Sequence, residues 1–238
     1  MKNIYNAFKN VIAVFWITRA YMKKARKSPH QIEDLKQVWA KHQLRLLKVK
    51  VKDSGQVSES DSMLLLGNHV SYIDILLLMA TVPKISFVAK AEIENWPIIG
   101  EACRMIGIIF VKREKKSSRN QTKLTIEKAL GQNRRIVIFA SGTTAIVEKN
   151  SWRNGPFEIA KNLNVSVQPF RLSYSPLRMS AYIDDDFLPT HLFKIFRSSG
   201  IKATIEFHPE TKIDSIETDR NKWQTWSQKL VHMEKNGP

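Results

Sequence analysis

The sequence predicts an α/β fold: a mixed, largely parallel sheet flanked by helices, with an N-terminal helical hairpin ahead of it. Three observations carry that expectation. Short apolar runs that read as buried strands alternate with longer segments that read as helices. Residues 1–50 read as two helices broken near Ser28-Pro29. No Gly/Ser/Pro-rich linker divides the 238 residues, so residues 51–238 are expected to form one domain behind the hairpin at 1–50. The composition, 43% apolar and 25% charged, is that of an ordinary globular chain.

The elements follow in order. Ile32 to Leu47 carries apolar residues at helical spacing with charges on the other face. Val49-Val51 opens a first strand and Asp53–Ser62 is a polar loop. Strands are expected at Leu64–Leu66, Ile85–Ala89, Ile108–Val111 and Ile136–Ala140. Helices are expected at Ile73–Val82, Ile98–Ile106 and Ser117–Gln132, and Ile159–Leu163 continues a further one. Val165–Leu172, Met179–Ile183 and Lys202–Phe207 read as strands, and Ile216–Val231 as a closing helix. Leu188–Phe196 fits either a short helix or a surface flap with an apolar face.

One cysteine, Cys103, excludes an intrachain disulfide and a Cys-rich metal site, and its apolar neighbours suggest a buried small hydrophobe. The formal net charge of +16 points to a polyanionic partner. Basic residues crowd 19–51, including Arg19, Lys23, Lys24, Arg26 and Lys27, directly after the apolar, aromatic-rich Val11–Ile17. That pairing is the signature of an interfacial anchor on an anionic membrane surface, peripheral or monotopic. The apolar segment falls short of the ~20 residues a spanning helix needs. No zinc spacing, helix-turn-helix cue or aromatic RNA-binding motif supports a nucleic-acid partner.

Asn68-His69-Val70-Ser71-Tyr72-Ile73-Asp74 is the most informative stretch. A neutral histidine can take a proton from a hydroxyl, and a nearby carboxylate can fix its tautomer and stabilise the imidazolium. Five helical positions put two side chains about 140° apart, so His69 and Asp74 meet only if His69 lies in a turn and Asp74 in the first turn of the helix after it. Ser71 followed by Asp74 resembles a capping box, which starts the helix near Tyr72. Alone, the pair reads first as a hydrogen-bonded turn histidine and a first-turn carboxylate favoured by the helix dipole.

Further motifs follow. Phe87-Val88-Ala89-Lys90-Ala91-Glu92 precedes Trp96-Pro97-Ile98-Ile99-Gly100. Gly107-Ile108-Ile109-Phe110-Val111 ends in two cations, Lys112 and Arg113, suited to phosphate oxygens or to a solvated strand end. Ile136–Ala140 runs into Ser141-Gly142-Thr143-Thr144, a turn whose amides could form an anion nest. Gly155-Pro156-Phe157 then precedes Val167-Gln168-Pro169.

In order and spacing these motifs, from about Met63 to Phe170, resemble the glycerolipid acyltransferases, and within them the bacterial 1-acyl-sn-glycerol-3-phosphate acyltransferases. The resemblance implies transfer of a fatty acyl group from an acyl thioester, on coenzyme A or acyl carrier protein, to a lysolipid hydroxyl in phospholipid biosynthesis, the expected acceptor being 1-acylglycerol-3-phosphate or a related lysolipid. It implies His69 as general base and Asp74 as the group that orients it, the two forming the catalytic pair. Asn68, Lys112, Arg113, Ser141, Gly142 and Thr143 make up the implied substrate-binding set, with Arg113 on the acceptor's phosphate. The acyl channel is expected along the helix after Asp74 and the Trp96–Ile99 segment. The donor is a co-substrate, and no cofactor or metal is indicated. The family's habit also implies work at the cytoplasmic side of the membrane. One departure stands out. The family pattern Phe-Pro-Glu-Gly-Thr reads Phe139-Ala140-Ser141-Gly142-Thr143 here, so a site glutamate is missing. That leaves two readings: an active enzyme with a different acceptor, or a non-catalytic lipid-binding protein on the same scaffold.

Overall fold

The computed structural model describes residues 2–111 and 116–235. The chain opens with α1 (Lys2–Lys27) and α2 (Ile32–Leu46), joined through a short 3-10 turn at Pro29–Gln31. Proline at the first position of that turn suits its fixed φ and missing N–H, and breaks the hairpin where the sequence predicts. Strand β1 (Val49–Ser54) follows, then β2 (Met63–Gly67), α3 (Ile73–Thr81), β3 (Ile85–Lys90), α4 (Ile99–Met105) and β4 (Ile109–Val111). Next come α5 (Lys116–Leu130), β5 (Arg135–Phe139), α6 (Gly155–Asn162) and β6 (Val167–Ser175). The chain closes with α7 (Leu177–Ser180), α8 (Leu188–Arg197), β7 (Ile201–Phe207) and α9 (Ile216–Lys235).

The described residues build one seven-stranded sheet in the order β1-β7-β6-β2-β5-β3-β4. Every pairing is parallel except β6 with β7. Central β2 is buried along its whole length, which is why Met63-Leu64-Leu65-Leu66 is continuously apolar rather than alternating. Its residues divide by parity. Met63 and Leu65 pack with α2, α3 and α8 on one face, and Leu64 and Leu66 pack with α5, α6 and α9 on the other. The result is a helix-sheet-helix sandwich, the α/β architecture the strand-helix alternation implies. Ala7, Ala40, Leu44 and Leu47 of the hairpin belong to the same buried cluster as α3.

The sequence reading fails at Met179–Ile183. Leu177–Ser180 is a helical turn and the residues after it join no strand. Their backbone groups are taken elsewhere: Tyr182 N–H donates to Val70 C=O at 3.0 Å, and Ala181 C=O accepts from His191 Nε2 at 2.9 Å. Leu188–Arg197 is the helical alternative for its segment, with His191, Leu192, Ile195 and Phe196 buried.

Candidate active site

The site starts at the end of β2. A Cβ on Gly67 would collide with the Phe170 ring and carbonyl, so only glycine lets β6 close against this strand end. Asn68 then extends the ladder with its side chain. Its Nδ2 donates to Leu172 C=O at 2.9 Å, and its Oδ1 accepts from Leu172 N–H at 2.8 Å. Both amide ends are spent on β6 and the residue is buried, so Asn68 clamps the turn and stands apart from the cavity.

His69 lies in the turn and Asp74 in the first turn of α3, the arrangement their spacing demands. The two meet with His69 Nδ1 donating to Asp74 Oδ2 at 2.7 Å. The same oxygen accepts from the N–H groups of Val70 (2.7 Å) and Ser71 (3.0 Å). This is the carboxylate half of the capping box, while the Ser71 hydroxyl makes no bond among the described residues. Asp74 Oδ1 accepts from the Tyr174 hydroxyl, which is wholly buried. Burial first, then the charge of Asp74, raises Tyr174 well above the usual phenol range, so it stays an O–H donor. A fully buried carboxylate is thus held by four donors.

The histidine ring is fixed on its other side as well. It stacks on Phe139 with centroids 3.8 Å apart and planes 9° from parallel. Since a carboxylate can only accept, Nδ1 carries the hydrogen, and in the neutral ring Nε2 then has the lone pair. His69 is 18% exposed at its side chain, and it lines the cavity described next. An oriented imidazole with one basic nitrogen directed away from its carboxylate is the arrangement of a general base.

The turn after β5 lies against the dyad. Ala145 N–H donates to His69 C=O at 2.9 Å. Gly142 adopts φ +76°, a conformation glycine takes freely, and its N–H donates to Phe139 C=O at 3.0 Å. That amide is committed inside the turn, so Gly142 shapes the site rather than offering its N–H to a ligand. Ser141 Oγ donates to Thr143 C=O at 2.8 Å, so the residue that replaces the family's glutamate is turned into its own loop. Gly142, Thr143 and Thr144 line the cavity. Lys112 and Arg113 lie outside the described residues. Lys90, at the end of β3 and level with Val111 of β4, is a cation that lines the cavity.

Beneath His69 a cavity of about 500 Å³ opens between the hairpin and the sheet. Phe15 and Met22 of α1, Trp39 of α2, Ile75 and Met79 of α3 and Phe87 of β3 give it mainly apolar walls. Trp96, Ile99 and Cys103 close another side. Burial pushes the Cys103 thiol up to about 11, so it stays protonated and serves as wall rather than nucleophile.

Sequence reasoning missed Tyr174, which lies a hundred residues beyond Asp74 and carries no local motif. Tyr174→Phe is expected to leave Asp74 Oδ1 unpaired, lowering stability by about 1–3 kcal/mol and turnover by about tenfold as the ring loses its fixed aim. Urea unfolding and initial rates check both.

Glu148 was also missed. It ties the loop after Thr144 to α9, accepting from Trp152 Nε1 at 2.6 Å and Gln224 Nε2 at 3.1 Å. Burial raises this carboxyl from 4.5 to about 7, against the pull of those two donors. The folded chain therefore holds the proton to higher pH than the unfolded chain does, and stability falls as pH rises between those values. Glu148→Gln is expected to gain about 1–2 kcal/mol at pH 8 and nothing at pH 4.5, measured by thermal unfolding at both.

The sequence pattern of the family described as Acyltransferase matches residues 48–173, more than half of the chain. The chain belongs to the acyltransferase family. The matched span holds the dyad, the Ser141–Thr144 turn and β6 as far as Ser173, while α1, α2 and the segment from α7 onward lie outside it. This acyltransferase is 30% identical over 200 residues to a lyso-ornithine lipid O-acyltransferase of Pseudomonas aeruginosa, covering 82% of this chain and 76% of that protein. It is 28% identical to a 1-acyl-sn-glycerol-3-phosphate acyltransferase of Neisseria gonorrhoeae, covering 62% of this chain and 59% of that one. Its fold matches the crystal structure of a 1-acyl-sn-glycerophosphate acyltransferase from Thermotoga maritima, with a TM-score of 0.71 and 19% identity over 100% of this chain and 99% of the other.

Proposed function

We propose that this acyltransferase moves a fatty acyl group from a thioester, on coenzyme A or acyl carrier protein, to the hydroxyl of a lysolipid at a membrane surface. The observation that carries the reading is the His69–Asp74 pair opening onto the apolar cavity. The acyl chain lies in the cavity with its thioester carbonyl beside His69. Nε2 takes the hydroxyl proton as the oxygen attacks that carbonyl. The tetrahedral intermediate then collapses, the C–S bond breaks, and the leaving thiolate takes the proton from the imidazolium. The products are an ester and a free thiol, with no covalent acyl-enzyme. Asp74 stays a carboxylate and stabilises the imidazolium while it lasts.

The acceptor we favour is a lyso-aminolipid of the ornithine type rather than 1-acylglycerol-3-phosphate. Two observations support this choice: Ser141 in place of the family's glutamate, and the name of the Pseudomonas relative. The membrane side is supported by α1. Ile4, Tyr5, Phe8, Ile12 and Trp16 form one exposed apolar stripe at helical spacing, followed by Arg19, Lys23 and Lys24. Among the described residues no helix is long and apolar enough to cross a membrane, so the stripe would lie in the interface, on the cytoplasmic leaflet.

The test is an acylation panel on anionic vesicles, offering lyso-ornithine lipid, 1-acylglycerol-3-phosphate and other lysophospholipids with each donor. Ester formation is expected with lyso-ornithine lipid at least tenfold faster than with 1-acylglycerol-3-phosphate, and Ser141→Glu is expected to narrow that gap. A preference for the phosphate acceptor would remove the aminolipid reading, and no ester with any acceptor would remove the enzymatic one.

A further inference from the structure

Two loops are bonded to the backbone of the dyad turn. Ala145 reaches it at His69 C=O, and Tyr182 N–H reaches it at Val70 C=O, 3.0 Å away. Beside the second loop three rings meet edge to edge. The Tyr72 ring lies 5.4 Å from Tyr182 and 5.5 Å from His191, centroid to centroid, and Tyr182 lies 5.4 Å from His191. Tyr72 immediately precedes α3 and opens the row Tyr72, Ile75, Leu76 and Met79 that lines the cavity. It is the polar member of that row and stands at its dyad end. Tyr182 lines the cavity as well, whereas His191 is only 2% exposed. His191 is carried by α8, outside the residues that the family pattern matches. The dyad chemistry uses none of the three rings.

The hydrogen bonds among them decide what the Tyr72 hydroxyl can do. His191 Nε2 lies 2.9 Å from Ala181 C=O, and a carbonyl only accepts, so Nε2 carries the hydrogen. Burial holds His191 below the usual histidine range, which favours the neutral ring, and in that ring Nδ1 has the lone pair. Tyr72 Oη lies 3.1 Å from Nδ1, and burial raises Tyr72 above the usual phenol range, so its hydrogen is kept. The Tyr72 O–H therefore donates to His191 Nδ1. Its one hydrogen is spent there, and among the described residues nothing donates to its oxygen. Tyr72 thus brings to a mainly apolar wall a hydroxyl that can only accept.

We propose that Tyr72 determines acceptor specificity: its oxygen takes a hydrogen bond from an amide N–H close to the acceptor's reacting hydroxyl, and His191 is the positioning residue that keeps Tyr72 an acceptor. The proposal rests on the reading that the acceptor is a lyso-aminolipid of the ornithine type. Ornithine has no hydroxyl, so the hydroxyl that becomes O-acylated must belong to the fatty chain already attached. A fatty acid carried on an amine is held by an amide, and the N–H of that amide is a donor at the head of the chain. 1-Acylglycerol-3-phosphate carries no N–H. An ester oxygen placed against Tyr72 would meet lone pair with lone pair, and the Tyr72 oxygen would be left unpaired.

The experiment compares two acceptors on anionic vesicles with one acyl thioester. The first is lyso-ornithine lipid bearing an amide-linked 3-hydroxyacyl chain. The second is its depsi analogue, in which an ester oxygen replaces the amide N–H. The unmodified chain is expected to favour the amide at least about tenfold in kcat/KM, the effect of leaving a buried acceptor unpaired. Tyr72→Phe is expected to lose about tenfold on the amide and little on the ester, and so to use the two alike. His191→Gln can still accept from Tyr72 and donate to Ala181 C=O, and it is expected to keep the preference. His191→Leu frees the Tyr72 hydrogen to meet the ester oxygen, and it is expected to raise the ester rate and erase the preference. Equal use of the two acceptors by the unmodified chain would overturn the proposal with no variant involved. So would a preference that survives in Tyr72→Phe, or in His191→Leu shown by circular dichroism to be folded. If the unmodified chain acylates 1-acylglycerol-3-phosphate and neither of the ornithine acceptors, the aminolipid reading fails and takes the proposal with it.

Discussion

His69→Ala is expected to abolish measurable turnover, a loss on the order of 10³–10⁴ in kcat, while the chain folds and binds anionic vesicles as before. The expectation follows from what the ring does and does not support. It touches the fold through Asp74 on one edge and Phe139 on one face. Its own backbone carbonyl carries the bond from Ala145, and that bond survives truncation of the side chain. Removing the ring thus takes away the base and leaves the turn. Thermal unfolding is expected to shift little beyond the loss of one charge-assisted hydrogen bond, about 1–3 kcal/mol. Initial rates with thioester and lysolipid, beside a vesicle pull-down, separate the two effects. A variant that still turns over within tenfold of the unmodified chain would show that some other group takes the proton.

Asp74 carries a larger structural load, and its two substitutions should differ sharply. Asp74→Asn keeps an acceptor for His69 Nδ1 and the Val70 and Ser71 amides, if its oxygen takes the place of Oδ2. Its NH₂ group then faces Tyr174, whose hydroxyl can turn and accept. The fold is kept, but the negative charge that stabilises the imidazolium is gone. Turnover is expected to fall by about 10³. Asp74→Leu leaves four buried donors without a partner and is expected to cost about 4 kcal/mol or more, enough to unfold a marginally stable domain. Circular dichroism and urea titration of both variants, with rates for the first, check the pair. Equal stability of the two would mean that the donors around Asp74 find other partners.

Much of this was legible in the sequence because its logic is local. Buried parallel strands are continuously apolar, so Met63–Leu66 and Ile136–Ile138 announce themselves. The five-residue spacing of His69 and Asp74 dictates a turn followed by a helix, and Pro29 dictates where the hairpin breaks. What the sequence could not reveal depends on distant backbone groups. Met179–Ile183 alternates like a strand, yet Val70 and His191 claim its hydrogen bonds. Asn68 looks like a ligand-binding polar residue beside a histidine, and Leu172 takes both ends of its amide. Tyr174 and Glu148 each sit in sequence that reads as ordinary strand or loop. Their meaning comes from burial, and burial is a property of the assembled sandwich.

In the proposed reaction His69 activates a lysolipid hydroxyl for direct attack on a thioester, with no acyl group passing through the protein. Intact-protein mass measurement during turnover tests it most directly. The unmodified chain is mixed with an acyl thioester on anionic vesicles, first without and then with lyso-ornithine lipid, and free thiol is followed in parallel. Protein mass is expected to stay unchanged throughout, with no thiol release before the acceptor is added and one thiol per ester formed afterwards. A burst of thiol without acceptor, together with protein heavier by one acyl group, would contradict it.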